Sequence, residues 1–277
     1  VTSMSRRFDA TVPLQVGRFK IRDDPGDEQF RWLNIPETLI YSSNIATARI
    51  ADELGAERLQ SIFKQLGFGD RPAIELADNA RPLWPSFWAR TTVMTTAYGH
   101  GIAVTPLHLA SAYATLVNGG FQRPATMFKV EPGKGVPGTR VLSEATSHRM
   151  RQLLRLIVLK GTGRNGEAKG YRLGGKTGTA EAASGGGYDK HRNVSTFAVA
   201  FPIDAPRYVM VAMLDSPKAN AQTPRTTAAW TAAPVVARVV SRVGTILGVA
   251  PDPNRDIDVS DLLPLIWGGP EPKKSAE

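Results

Sequence analysis

An α+β domain built around an antiparallel sheet is the fold class this sequence predicts, and three observations predict it. After Tyr171 the pattern turns to strands at Gly174 to Glu181, Val194 to Phe201 and Tyr208 to Leu214, and the break at Pro202 to Pro206 makes the last two an antiparallel hairpin. Amphipathic stretches with helix start and stop residues lie before and after them. The 277 residues, 42% hydrophobic and 21% charged, describe a globular chain long enough to bury a sizeable core in a single domain.

Residues 1 to 36 alternate short apolar pieces with turn residues, notably Val12 to Phe19 and Asp23-Asp24-Pro25-Gly26-Asp27, and read as irregular β structure. A helix is predicted from Ile35-Pro36-Glu37, with apolar positions at Ile40, Ile50 and Leu54 and a stop at Gly55. Before its main body, Tyr41-Ser42-Ser43-Asn44 places two hydroxyls and an amide near a helix start, where such residues most often cap. A second helix, Glu57 to Leu66, ends at Gly67 and contains Ser61-Ile62-Phe63-Lys64, a match to S-x-x-K, the nucleophile motif of serine acyl-transferases. Helical geometry argues against that match. At about 100° per residue, Leu59, Ile62, Phe63 and Leu66 share one face and Ser61 and Lys64 the solvent side, whereas a nucleophile needs a shielded cleft.

Residues 71 to 90, rich in Pro and Trp, read as a packed loop. Thr105 is the predicted N-cap, and Pro106 the first residue, of a helix through Leu109, Ala112, Tyr113 and Leu116 that stops at Asn118-Gly119-Gly120. A basic amphipathic helix is predicted from Ser143 to Leu159, ending at Lys160-Gly161. Gly185-Gly186-Gly187 supplies the loop before the hairpin, a last helix spans Thr226 to Leu247, and the tail from Gly268 is expected to be disordered.

Lys plus Arg outnumber Asp plus Glu by 34 to 25, giving +9 and a pI near 9.9. That balance favours anionic surroundings, but no dense basic run or aromatic ladder accompanies it, so no nucleic-acid partner is expected. The absence of cysteine excludes disulfides and a cysteine nucleophile. The four histidines form no close ligand pair, and neither a metal nor another cofactor is expected. No apolar run approaches the roughly 20 residues that span a bilayer.

The richest stretch is Gly174-Gly175-Lys176-Thr177-Gly178-Thr179-Ala180-Glu181. On a strand, Lys176 and Gly178 share one face and Thr177 and Thr179 the other, and Gly178 lets a substrate backbone lie close. Gly170 to Thr177 also satisfies G-x-x-x-x-G-K-T, with Val209 to Asp215 as the accompanying apolar strand, so a P-loop nucleotide hydrolase is an alternative. Its physics requires a strand before the loop and a helix opening at Lys-Thr. Here a polar, glycine-rich segment precedes and a triple glycine follows.

Taken together, Ser42-Ser43-Asn44 as S-x-N, Lys176-Thr177-Gly178-Thr179 as K-T-G-T, the stretch from Tyr98-Gly99-His100-Gly101 through Thr105-Pro106-Leu107 to Asn118-Gly119-Gly120, and Gly161-Thr162-Gly163 through Gly170-Tyr171 to Lys176 resemble a class B penicillin-binding protein. The resemblance covers residues 15 to 247 and is closer to the division type of peptidoglycan D,D-transpeptidase than to the elongation type. It implies helices on both faces of the sheet, as in the penicillin-binding and serine β-lactamase-like fold. It also implies acyl transfer, in which a serine attacks the penultimate D-alanine carbonyl of a stem peptide, D-alanine leaves, and an amino group of another strand resolves the acyl-enzyme. Lys176 would hold the charge and hydrogen-bond network of the site, Ser42 would relay protons, and Asn44 would bond the acyl side chain. Thr177 and Thr179 would meet the terminal carboxylate, at about 1.5–3 kcal/mol per charge-assisted bond. The Thr179 N–H would form half of an oxyanion hole, a donor worth about 2.7–4 kcal/mol.

The family's S-x-x-K lies upstream of S-x-N, and no such motif precedes Ser42 here. The expectation is therefore a transpeptidase domain over residues 1–250 that lacks the S-x-x-K segment and is inactive by itself, followed by a tail over 251–277. Its parent would be anchored in the cytoplasmic membrane with this domain in the periplasm. The implied partners are peptidoglycan stem peptides, β-lactam antibiotics and cell-division membrane proteins including a glycosyltransferase. The alternative is a non-catalytic penicillin-binding-like module that binds peptidoglycan or a division partner. A smaller departure is Ala228-Ala229-Trp230, where the family has glycines.

Overall fold

The computed structural model describes residues 3–131, 133–184, 187–221 and 223–269, the side chains of 182–191 excepted. Two compact units result, one from Val1–Ser61, Trp84–Ile102 and Asp258–Glu277, the other from Ile62–Leu83 and Ala103–Ile257.

The first unit opens with short strands, as the alternation of residues 1 to 36 predicts. Strand β1 (Arg7–Asp9) pairs antiparallel with β4 (Trp32–Asn34), and β2 (Leu14–Val16) with β3 (Phe19–Ile21). Asn34 and Glu37 form a reciprocal capping box at the start of α1 (Ile35–Ile40). The chain then breaks before α2 (Asn44–Gln65), so the helix predicted through to Gly55 is two helices. The cause is a C-terminal cap. Ser42 takes φ +58, and the Ser43 N–H bonds the Thr38 carbonyl at 3.1 Å, the six-to-one bond of a Schellman turn. This break rephases the apolar stripe, and α2 buries Ile45, Ala46, Ala48, Ala51 and Leu59, leaving Ile50 and Leu54 half-buried. Gly55 interrupts α2 where the stop is predicted: at φ 77 and ψ 167 its backbone is not helical, and two helical segments meet there at a kink. Helix α3 (Arg90–Ala97) has no counterpart in the sequence reading. Phe8, Leu33, Ile45, Ala46 and Met94 form the core.

The second unit holds α4 (Pro106–Val117), a small pair β5 (Phe121–Gln122) and β6 (Thr139–Arg140), α5 (Glu144–Lys160), and the sheet of β7 (Gly174–Ser184), β8 (Gly187–Phe201) and β9 (Tyr208–Asp215). Thr105 caps α4 with Pro106 in the first turn, and Ser143 caps α5, its hydroxyl accepting the Thr146 N–H at 3.1 Å. Both boundaries match the sequence reading. Of the predicted triple-glycine loop, Gly185 and Gly186 lie outside the described residues. The strand order is β7-β8-β9, all antiparallel, with Lys176 opposite Ala198 and Phe197 opposite Ala212.

Both faces of this sheet are covered. Phe197, Val199 and Phe201 pack with Val236 and Val240 of α6 (Ala232–Val243) in one core, while Ala198 and Ala200, on the opposite pleat, are equally buried. Helices α4 and α5 pack on the sheet as well. Helix α6 is shorter than the predicted 226–247 because Thr226 and Ala228 are committed to hydrogen bonds with the sheet. The Thr226 carbonyl accepts from Ser195 Oγ at 2.6 Å, and the Ala228 N–H donates to Thr179 Oγ1 at 3.0 Å.

Residues 251–267, which the sequence places in a tail, are fastened to the rest of the chain at several points. In the second unit, buried Arg155 donates to Asp256 at 2.8 and 2.6 Å and to the Leu173 carbonyl at 2.9 Å, and it also pairs with Glu167. In the first unit, Leu262 is buried and the Trp267 N–H donates to Glu37 at 2.9 Å. Residues 270–277 lie outside the described residues. No helix among the described residues is long and apolar enough to cross a membrane.

Candidate active site

The two motifs fall in different units. Ser42-Ser43-Asn44 belongs to the first and Lys176 to Thr179 to the second.

In the first unit the capping role falls to Ser43. Its hydroxyl accepts the Ala46 N–H at 3.1 Å and donates to the Asp23 carboxylate, 3.0 Å from both oxygens. Asp23, from the chain just after β3, also accepts the Ile45 N–H at 3.0 Å. Burial pushes the Asp23 carboxyl above its ordinary value, against the pull of the hydrogen bonds from Ile45, Ser43 and Asn44. Asn44 Nδ2 donates to the Arg22 carbonyl at 3.1 Å. The sequence alone does not single out Asp23, because its local context reads only as a turn.

Ser42 is half-buried and sits at φ +58, a left-handed conformation that costs a non-glycine residue about 1–3 kcal/mol. Glycine is the usual occupant of this cap position. Ser42→Gly should therefore raise stability by about 1 kcal/mol, roughly 2–4 °C in melting temperature, while slowing penicillin acylation in a complete transpeptidase. A lowered melting temperature would mean that the hydroxyl serves the fold instead.

In the second unit, Lys176 to Thr179 lie on β7, which among the described residues is an edge strand paired with β8. This overturns the phosphate-loop alternative, since Lys176-Thr177 continues a strand and opens no helix. Lys176 is half-buried, and its Nζ donates to the Thr177 carbonyl at 2.9 Å. Thr177 Oγ1 is 2.7 Å from Thr162 Oγ1, in the Gly161-Thr162-Gly163 turn after α5. Thr179 Oγ1 accepts the Ala228 N–H at 3.0 Å, so its own proton remains available to donate.

Three glycines of β7 differ in what surrounds them. A Cβ on Gly174 would meet Ile203 at 2.5 Å, and one on Gly175 the Ala198 carbonyl oxygen at 2.5 Å, whereas one on Gly178 would meet nothing within 4 Å. Packing thus explains the first two and leaves Gly178, which is exposed, unexplained by the fold. Gly178→Val should leave the melting temperature level or higher, since a β-branched residue suits a strand, yet slow penicillin acylation in a complete transpeptidase by about tenfold or more. Unchanged acylation would remove Gly178 from the site.

Ser61 and Lys64 of the S-x-x-K match are exposed on α2, as the helical-face argument requires. A cavity of about 580 Å³ beside α6, lined by Asn165, Leu214, Lys218, Trp230 and Arg238, includes none of the β7 motif residues. Among the described residues, no cluster of three or more His, Cys, Asp or Glu side chains could hold a metal ion.

Solved structures of transpeptidase domains share this α+β fold. The chain superposes on the apo transpeptidase domain of Burkholderia pseudomallei penicillin-binding protein 3 with a TM-score of 0.78 and 30% identity, over 86% of this chain and 71% of that one. It matches Mycobacterium tuberculosis penicillin-binding protein 3, solved with ampicillin, with a TM-score of 0.77 and 26% identity, over 92% and 60%. The model described as penicillin binding protein transpeptidase domain matches residues 12–240, and the chain belongs to that family. Its relatives include the probable peptidoglycan D,D-transpeptidase FtsI of Caulobacter vibrioides, 40% identical over 90% of this chain and 44% of that protein. Another is the FtsI of Escherichia coli K12, 28% identical over 87% and 40%. The similarity is thus to division-type members, and the chain spans less than half the length of these curated relatives.

Proposed function

We propose that the chain is the donor-recognising part of a peptidoglycan D,D-transpeptidase, supplying the S-x-N and K-T-G-T motifs for acyl transfer to a serine of an S-x-x-K segment outside these 277 residues. The observation that carries the reading is the exposed β7 edge, where Gly178 leaves room on the Lys176 face of the strand that the fold itself does not use.

An extended stem-peptide terminus would lie along that edge. Lys176 would supply the positive charge near the reacting centre, and the hydroxyls of Thr177 and Thr179 would bond the terminal carboxylate. Thr162 and Ala228, as hydrogen-bond partners, hold those two hydroxyls in place. The Thr179 N–H would serve as an oxyanion donor, with Ser42 relaying the proton and Asn44 bonding the acyl group. β-Lactams would compete as donor mimics. The complete protein would be anchored in the cytoplasmic membrane, act in the periplasm, and work with division proteins including a glycosyltransferase.

A second reading, a non-catalytic module that binds peptidoglycan or a division partner, is favoured by the exposure of Ser61, the serine of the chain's one S-x-x-K match. Covalent labelling of the complete protein by a fluorescent penicillin separates the two. The transpeptidase reading expects stoichiometric labelling that unlabelled ampicillin blocks, and a folded protein that never labels would favour the module.

A further inference from the structure

We infer that Asp23 is a positioning residue for the S-x-N motif, acting on Ser42 and Asn44 through Ser43 and the first turn of α2. The inference rests on the transpeptidase reading of those two residues.

Ser43 is the middle residue of the motif and only 1% exposed, and Asp23 is 6% exposed. A hydroxyl has one proton to give and lone pairs to receive. The proton of Ser43 goes to Asp23, and its oxygen receives the Ala46 N–H. Both capacities are therefore engaged, and the Ser43 rotamer is fixed. The same carboxylate receives the Ile45 N–H, so it grips the chain on either side of Asn44. The neighbouring Arg22 carbonyl receives the Asn44 amide, which settles which end of that side chain points toward residues 22–23.

Two consecutive residues, 22 and 23, thus hold residues 43, 44 and 45. Ser42 is the residue immediately before this clamp, in a left-handed conformation that a serine keeps only where its surroundings impose it. A buried carboxylate is a costly device for a helix N-terminus that Ser43 already caps. Its added effect is to fix the rotamer and backbone of the segment from which both motif side chains project.

The test is acylation of the complete transpeptidase by a chromogenic penicillin, comparing wild type with Asp23→Ala, Ser43→Ala, the double variant and Ser42→Ala, all at least 20 °C below the melting temperature, as confirmed by circular dichroism. If Asp23 acts through Ser43, Asp23→Ala slows acylation at saturating penicillin about tenfold or more. The penicillin concentration for half-saturation changes little, and the double variant is no slower than the slower single one. A structural role alone would leave the rate of the folded fraction unchanged. Should Asp23→Ala fail to fold, Asp23→Asn takes its place. It keeps one acceptor but turns an NH₂ toward either Ser43 or Ile45, and it should be slowed about fivefold or more. An Asp23 variant that acylates at the wild-type rate while Ser42→Ala is slow overturns the inference and leaves the transpeptidase reading standing. Wild-type rates in both overturn the inference and remove S-x-N from the site as well.

Discussion

In the complete transpeptidase, Lys176→Ala should slow acylation by penicillin at least tenfold, about 1.4 kcal/mol or more of transition-state stabilisation, with little change in melting temperature. The asymmetry follows from where the lysine sits. Lys176 is half-buried on an edge strand, and its ammonium bonds the carbonyl of the next residue in the same strand. Such a local bond to a partly solvated group contributes little to folding. A charge beside a developing oxyanion, in a site closed by substrate, has far more effect. Stopped-flow acylation with a chromogenic penicillin, beside a thermal melt, checks both halves. Near-normal acylation would take Lys176 out of the chemistry, and a large drop in melting temperature would give it a structural role.

The largest effect on stability is expected at Glu37. Its carboxylate is 2% exposed and accepts from Arg31 Nη1 at 2.8 Å, the Asn34 N–H at 3.1 Å and the Trp267 N–H at 2.9 Å. The Arg31 guanidinium also lies over the rings of Tyr41 and Trp267, at 5.4 and 5.7 Å. Glu37→Ala removes the carboxylate that a largely buried guanidinium and two amide N–H groups share, and removing one partner of such a pair costs about 3–5 kcal/mol, roughly 10 °C in a chain of this size. Because α1 ends in the cap that carries Ser42, the first unit would lose its motif geometry together with its stability. Urea unfolding of wild type and variant measures the difference. A loss below about 1 kcal/mol would show that the cluster is redundant.

Residues with local causes were legible in the sequence. Thr105, Pro106, Ser143 and Gly161 marked helix ends correctly, since caps depend on neighbours within three or four positions. Strand β9 and the half of β8 from Val194 are legible from their strand-forming residues and the break at Pro202 to Pro206, whereas β8 begins as early as Gly187, where the sequence reads a loop; the pairing makes Lys176 an edge residue. Other features depended on distant partners. The Ala- and Val-rich run from Thr226 favours a helix, but bonds to Ser195 and Thr179 hold Thr226 and Ala228 out of it. Helix α3 is built from Arg90-Thr91-Thr92-Val93-Met94-Thr95-Thr96-Ala97, whose β-branched residues give little helical signal. Residues 251–267 lack periodicity and read as a tail, yet Arg155, Asn34 and Glu37 fasten them. Of the candidate site residues, Lys176 to Thr179 stand out in the sequence by their cation, hydroxyls and glycines, whereas Ser42 to Asn44 read as a helix cap by themselves and become candidates only through the family resemblance. Asp23 does not stand out, because nothing in the chain order ties it to Ser43, 20 positions on.

The most direct test of the central claim is peptide mapping of the complete protein after reaction with penicillin, with intact mass confirming a single adduct. The account predicts one acyl group, on the serine of an S-x-x-K segment outside these 277 residues, and unmodified peptides covering Ser42, Ser43 and Ser61. An adduct on Ser61, or none on a folded protein, would contradict it.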